Sequence, residues 1–221
     1  MTISALIFGG IGTLIETSTL QREAFNRAFA TLGIDFVWDH ADYAASLSNS
    51  GGRNRLAAIA LPGGARLTEA QIAAVHAEKT DAFDAMLAGQ FLPLRAGVAD
   101  LLTRAAALGI DVAWATTTSQ ANIDAILRAS GGALTRTMFA FIGDDLAVER
   151  QKPDPEIYLK VLATLGIRPA AAIAIEDSPT GVHSAKAAGL FTVAFPGEMH
   201  PGNLGGPDMI IRSLDDVSLD R

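Results

Sequence analysis

The stretch Ala5-Leu6-Ile7-Phe8-Gly9-Gly10-Ile11-Gly12-Thr13-Leu14-Ile15-Glu16-Thr17 decides how the rest of the chain is read. Ala5 to Phe8 is a short, wholly apolar run, the pattern of a strand buried on both faces, and Gly9-Gly10-x-Gly12 after it reads as a sharp exit from a sheet. One Gly-Gly-x-Gly also fits a tight turn or an anion-binding nest. A dinucleotide loop is disfavoured, because a long helical stretch follows rather than the helix and second strand of a βαβ unit. Gly9 has no side chain and Ile11 can neither give nor take a proton, so these two positions supply no acid, base or nucleophile.

Working outward, apolar strand-like runs recur at Asp111 to Ala115, Met138 to Ile142, Ala172 to Ile175, Phe191 to Ala194 and Met209 to Ile211. Helical periodicity fills the gaps at Val98 to Leu108, Gln120 to Ser130, Pro155 to Leu165 and Thr180 to Ala188. Alternating strands and helices predict a doubly wound, Rossmann-like parallel sheet in an α/β fold. Between Glu16 and Leu92 the pattern is helical throughout, at Leu20 to Leu32, Ala41 to Leu47, Asn54 to Ile59 and Thr68 to Leu87. The expected organisation is therefore a core of residues 1–16 and 93–221, with an all-helical cap of residues 17–92 inserted after the first strand.

Composition bounds the function classes. The 221 residues are 49% hydrophobic and 19% charged, as expected of a compact globular protein with a sizeable core. A formal net charge of −7 argues against nonspecific binding to nucleic acid or an anionic membrane, so an anionic ligand needs a local site. Without cysteine there is neither a disulfide framework nor a thiolate zinc site. No basic leader precedes Gly9 and no run approaches the ~20 apolar residues of a membrane span, so the expected compartment is the cytoplasm.

Open α/β sheets place their sites at the carboxyl ends of the strands. There the chain offers Thr116-Thr117-Thr118-Ser119, then Gly143-Asp144-Asp145 with Gln151-Lys152-Pro153, then Glu176-Asp177-Ser178-Pro179-Thr180-Gly181. Hydroxyls, a lysine and adjacent carboxylates converging on one edge suit a phosphate and a divalent cation. Plainer readings stand beside this one. Lys152 can be a solvated surface lysine, while Asp177 and the threonine run can cap the helices that follow them. Asp144 and Asp145 read as loop caps. His40, His76, His183 and His200 lie outside these loops and read as surface or structural residues.

In order and spacing the first loop, Thr116, Lys152-Pro153 and Glu176-Asp177-Ser178-x-x-Gly181 resemble the four motifs of the haloacid dehalogenase superfamily. The helical insertion narrows the resemblance to the branch of beta-phosphoglucomutases and xylulose bisphosphate phosphatases. Glu23-Ala24-Phe25-Asn26, Ser50-Gly51-Gly52-Arg53 and Lys152-Pro153-Asp154-Pro155-Glu156-Ile157-Tyr158 look most like the latter. The resemblance implies Thr116, Thr117 and Lys152 as phosphate ligands, Glu176 and Asp177 as ligands of Mg²⁺, and Glu16, Gln21 and Arg53 as cap or substrate residues. Arg53 is equally readable as an ordinary surface cation. Gly9 and Ile11 stand where the family has its nucleophile and acid/base aspartates.

The expectation that follows is a hydrolase by descent without phosphatase activity, binding a small phosphorylated metabolite or inorganic phosphate, with Mg²⁺ weak or absent. With Glu176, Asp177 and Lys152 alone, the site carries the formal charge that a complete family site reaches only with its metal. A working phosphohydrolase would need another nucleophile, for which Thr13 and Thr116 are nearest in sequence; an interaction module with a vestigial pocket is the third reading. If the scaffold is intact, Gly9→Asp with Ile11→Asp should restore the chemistry, with a positive φ at Gly9 as the main obstacle.

Overall fold

The computed structural model describes residues 3–49, 51–200 and 202–219, so Ser50 of the Ser50-Gly51-Gly52-Arg53 segment lies outside the described residues. The chain runs β1 (Ala5–Phe8), a single helical turn α1 (Ile11–Leu14), then helices α2 (Ser18–Thr31), α3 (His40–Ser46), α4 (Gly52–Ala58) and α5 (Glu69–Leu87). It continues as α6 (Val98–Ala107), β2 (Asp111–Trp114), α7 (Gln120–Ala129), β3 (Phe141–Ile142), α8 (Glu156–Leu165), β4 (Ala172–Glu176), α9 (Pro179–Ala187), β5 (Phe191–Ala194) and β6 (Met209–Ile210).

The strands form one parallel sheet in the order β3-β2-β1-β4-β5-β6, the Rossmann-like arrangement expected from the alternating pattern. All four residues of β1 are buried because both faces of the sheet are covered. Leu6 and Phe8 join Val112, Trp114, Ile173 and Ile175 in one cluster with residues of α6 and α7. Ala5 and Ile7 join Ala113, Ala172 and Ala174 on the opposite face, against Ile157, Tyr158 and Val161 of α8. Each such Leu, Ile or Phe contributes about 1.5–3 kcal/mol of burial, which specifies the sheet with no help from site chemistry.

Among the described residues no strand lies between β1 and β2; helices α2 to α5 occupy that stretch with a core of their own. Phe25, Phe29, Trp38 and Tyr43 build it, Phe25 meeting Trp38 edge-on with centroids 5.0 Å apart. Thr68 and Gln71 form a reciprocal capping box at the start of α5, which explains that helix's sharp onset. No helix among the described residues is long and apolar enough to cross a membrane.

Three local expectations need correction. The strand expected over Met138 to Ile142 shrinks to Phe141–Ile142, because the Met138 amide turns back to the Thr135 carbonyl and this edge strand pairs only with β2. Asp177 and Thr116 do not cap the helices that follow them. Ser178 caps α9 through the Gly181 amide and Ser119 caps α7 through the Asn122 amide. No positive φ occurs at Gly9, Gly10 or Gly12, so that loop does not use the left-handed region open to glycine.

Candidate functional site

Strand order reverses beside β1, which has β2 on one side and β4 on the other, and a parallel sheet opens a crevice at such a point. Register brings the loop residues to one level: the Gly9 amide donates to Ile175 O at 2.9 Å and the Ala115 amide to Phe8 O at 2.7 Å. Gly9, Thr116 and Glu176 thus leave three neighbouring strands side by side.

Lys152, from the loop before α8, reaches into this crevice. Its Nζ lies 2.5 Å from Glu176 Oε1 and 3.3 Å from the Tyr158 hydroxyl. Tyr158 also donates to Glu176 Oε1, while Glu176 Oε2 accepts the Asp177 amide at 3.2 Å. Glu176 is fully buried and the Lys152 side chain 9% exposed, so this is an interior ion pair. Burial, reinforced by the Glu176 charge, raises the Tyr158 phenol well above its ordinary range and keeps it a donor.

Glycines make room for these carboxylates. A Cβ placed on Gly9 or on Gly181 would overlap the Glu176 carboxyl group, and one on Gly12 would overlap Asp177 Oδ2. A side chain at position 9 would therefore enter only together with a shift of the Glu176 carboxyl group, the flexible end of that side chain. Burial and the neighbouring Glu176 charge push the Asp177 carboxyl up to about 7, while Lys152 and Arg95 pull it the other way.

Arg95, where the chain returns from the helical segment, is a site residue that sequence reasoning missed. Its Nη1 donates to Gly12 O at 2.7 Å and to Phe195 O at 2.8 Å, and its Nη2 to Pro196 O at 2.6 Å. Two cations, Arg95 and Lys152, now face two carboxylates, so the charge count drawn from the sequence was one positive charge short. Tyr158 was also given no role, although it sits within the quoted Lys152 to Tyr158 segment. A large polar side chain on the buried stripe of α8 was the available signal.

The other expected site residues lie as follows. Thr116 is buried and accepts the Thr118 amide at 3.3 Å; Thr117 beside it is half-buried. Glu16 spends both carboxylate oxygens on backbone amides, those of Ser18 at 2.7 Å and Glu198 at 3.0 Å, and so ties the departing chain to the loop after β5. Gln21 is half-buried in the first turns of α2. Arg53, at the start of α4, is exposed and paired with Glu69 at 3.2 Å. Between these helices and the sheet edge opens a cavity of about 450 Å³ lined by Asn49, Asn54, Pro153, Thr180 and His183.

The donor set does not fit Mg²⁺. Glu176 Oε1 is taken by Lys152 and Tyr158 and position 9 has no side chain, which leaves Asp177 and Glu176 Oε2 as the carboxylate oxygens open to a cation, fewer than its near-octahedral shell asks for. Among the described residues no group of three or more His, Cys, Asp or Glu side chains is placed to hold a metal ion. Thr13, one substitute nucleophile considered above, donates its hydroxyl to Gly10 O at 2.7 Å.

The model of a family described as haloacid dehalogenase-like hydrolase matches residues 3–189. The protein CbbY of Rhodobacter capsulatus is 40% identical over 203 residues, spanning 92% of this chain and 89% of the relative. The crystal structure of a CbbY variant from Rhodobacter sphaeroides in complex with xylulose-(1,5)bisphosphate superposes with a TM-score of 0.85 at 38% identity, covering 97% of this chain and 96% of that one. CbbY of the same organism in complex with phosphate superposes with a TM-score of 0.84, at the same identity and coverage. With a buried crevice at the strand-order reversal and a family match over most of its length, the chain belongs to the haloacid dehalogenase-like hydrolases.

Proposed function

We propose that this protein binds a small phosphorylated metabolite or inorganic phosphate at the crevice beside β1 without carrying out the phosphoryl transfer its family is built for. The observation that carries the reading is at position 9: no carboxylate is attached there, and the one that fills the space, Glu176, is fully buried and held by Lys152 and Tyr158. A nucleophile must reach phosphorus along an open line, and a carboxylate sealed in an ion pair does not. Nucleophile knockouts in an unrelated hydrolase class lose on the order of 10⁶ in rate.

Lys152, Thr116 and Thr117 supply the positive charge and hydroxyls for the anion, and Arg53 and Gln21 face any larger ligand from the helical insertion. We take residues 17–92 as a cap that closes over a core of residues 1–16 and 93–221. The complexes of the related CbbY with phosphate and with xylulose bisphosphate support the ligand class. The binding is taken as metal-independent, because among the described residues Glu176 and Asp177 have no third metal-ligating side chain beside them.

The test has two measurements on the full chain. Titration calorimetry with inorganic phosphate and xylulose bisphosphate is expected to show binding that is unchanged by Mg²⁺ or EDTA. A panel of sugar phosphates with Mg²⁺ is expected to show no turnover above the buffer rate; robust hydrolysis would overturn the reading.

A further inference from the structure

Where α5 ends against α7 the molecule has a second cavity, of about 370 Å³. Its lining comes from the last turns of these two helices and from the second crossing between them, and none of it belongs to the crevice beside β1. Leu87, Ala125 and Ala129 give it an apolar wall backed by the core of the sheet. Phe91 adds an aromatic face: its side chain is 67% exposed and lies against Gly131, where a Cβ would come within 2.8 Å of the ring.

One group in this lining is left without a purpose by the fold. Asp84, on α5, has a buried Oδ1 with no hydrogen-bond partner. A carboxylate oxygen kept from water and from any donor is costly, and native structures retain few of them. Lys79 on the same helix feels the charge of Asp84 but does not reach that oxygen. Both helices also present their C-terminal ends here, α5 at Leu87 and α7 at Ala129, and each end adds partial negative charge. Arg128, the cation of the lining, is exposed, and its charge acts also on Asp124 one turn back.

We propose that this cavity is a binding site for a small organic cation, an ammonium group carried on an apolar or aromatic body. Asp84 Oδ1 accepts from the ammonium, while Leu87, Ala125, Ala129 and Phe91 receive the body. The volume stands at the small end of the roughly 300–1,000 Å³ usual for ligand pockets, which limits the occupant to one ring with a short arm. Because α5 belongs to the helical insertion and α7 flanks the sheet, an occupant touches both and braces the second crossing between them.

The probe is 2-phenylethylammonium, with 2-phenylethanol as its neutral analogue and 3-phenylpropionate as its anionic one. Titration calorimetry on the full chain is run at physiological salt, which screens the long-range attraction of a protein of net charge −7 for any cation. Saturable binding of the ammonium is expected, with about tenfold weaker binding of the alcohol and none of the propionate. Asp84→Asn keeps the shape and deletes the charge; it should lose about tenfold in affinity for the ammonium and leave that for the alcohol unchanged. Should that variant fail to fold, Ala88→Phe, which fills the cavity from its exposed rim, is expected to abolish binding of both. The proposal is overturned by no saturable binding of the ammonium to the unaltered protein, by equal binding of ammonium and alcohol, or by an ammonium affinity that the variant leaves unmoved.

Discussion

The Arg95 guanidinium lies 3.5 Å from the centre of the Phe195 ring and donates to the Phe195 carbonyl, fastening the chain's return from the helical segment onto the end of β5. Through Nη1 the same group holds Gly12 O, one turn beyond β1. One planar cation thus joins the β1 loop, the β5 loop and the second crossing, and burial lowers its pKa against the pull of Asp177, Glu16 and Glu198.

Arg95→Met should cost about 3 kcal/mol of folding stability, since it leaves three carbonyls without their charged donor. Arg95→Lys is expected to recover less than half of that, because an ammonium cannot span the carbonyls that a planar fork reaches. Urea unfolding monitored by Trp fluorescence reads both values.

Gly9→Asp with Ile11→Asp is expected to fold with a Tm well below that of the unaltered protein when Mg²⁺ is absent. The Asp at position 9 must displace the Glu176 carboxyl group, and the two new carboxylates add negative charge beside Glu176 and Asp177. Added Mg²⁺ should restore much of the loss in the double variant and leave the unaltered protein unmoved in the same thermal scan. The obstacle to regaining chemistry is therefore occupied volume rather than the positive φ anticipated from the glycines.

Lys79 lies in the helical insertion with its Nζ 4.8 Å from the Phe83 ring centre and 5.4 Å from that of Phe25; burial, helped by Arg55, lowers its pKa to about 8. An unfolded lysine titrates near about 10.4, so between these values the unfolded state holds more protons and stability rises with pH. Below about pH 8 the penalty is constant. Lys79→Met should add about 2 kcal/mol at pH 7, at 1.36 kcal/mol per unit with allowance for relaxation, and abolish the rise. Chemical denaturation across the window from pH 7 to pH 10 measures it.

Glu16→Ala removes the carboxylate that accepts the Ser18 and Glu198 amides where the chain leaves the sheet domain. A loss of about 1 kcal/mol is expected, as for a helix cap, with faster limited proteolysis between β1 and α2. Unchanged proteolysis would show that Glu16 does not restrain this crossing.

Sequence reading succeeded where the signal was local and repeated. Ala5 to Phe8 and Ala172 to Ile175 are apolar at every step, which only a strand covered on both faces requires, and the sheet follows from that alternation. It failed where partners come from far along the chain. The acceptors of Arg95 lie 83, 100 and 101 residues away and are backbone carbonyls, which no side-chain pattern announces. Gly9 shows both outcomes. That position 9 bears no carboxylate is plain from the letters, but that Glu176 enters the space is a fact of volume.

Gly9 and Glu176 also constrain each other's substitution. With the Glu176 carboxylate against Lys152, a side chain added at position 9 is accommodated only together with a shift of Glu176, so substitutions at the two positions are not additive. The two positions therefore act as one unit in any mutational series.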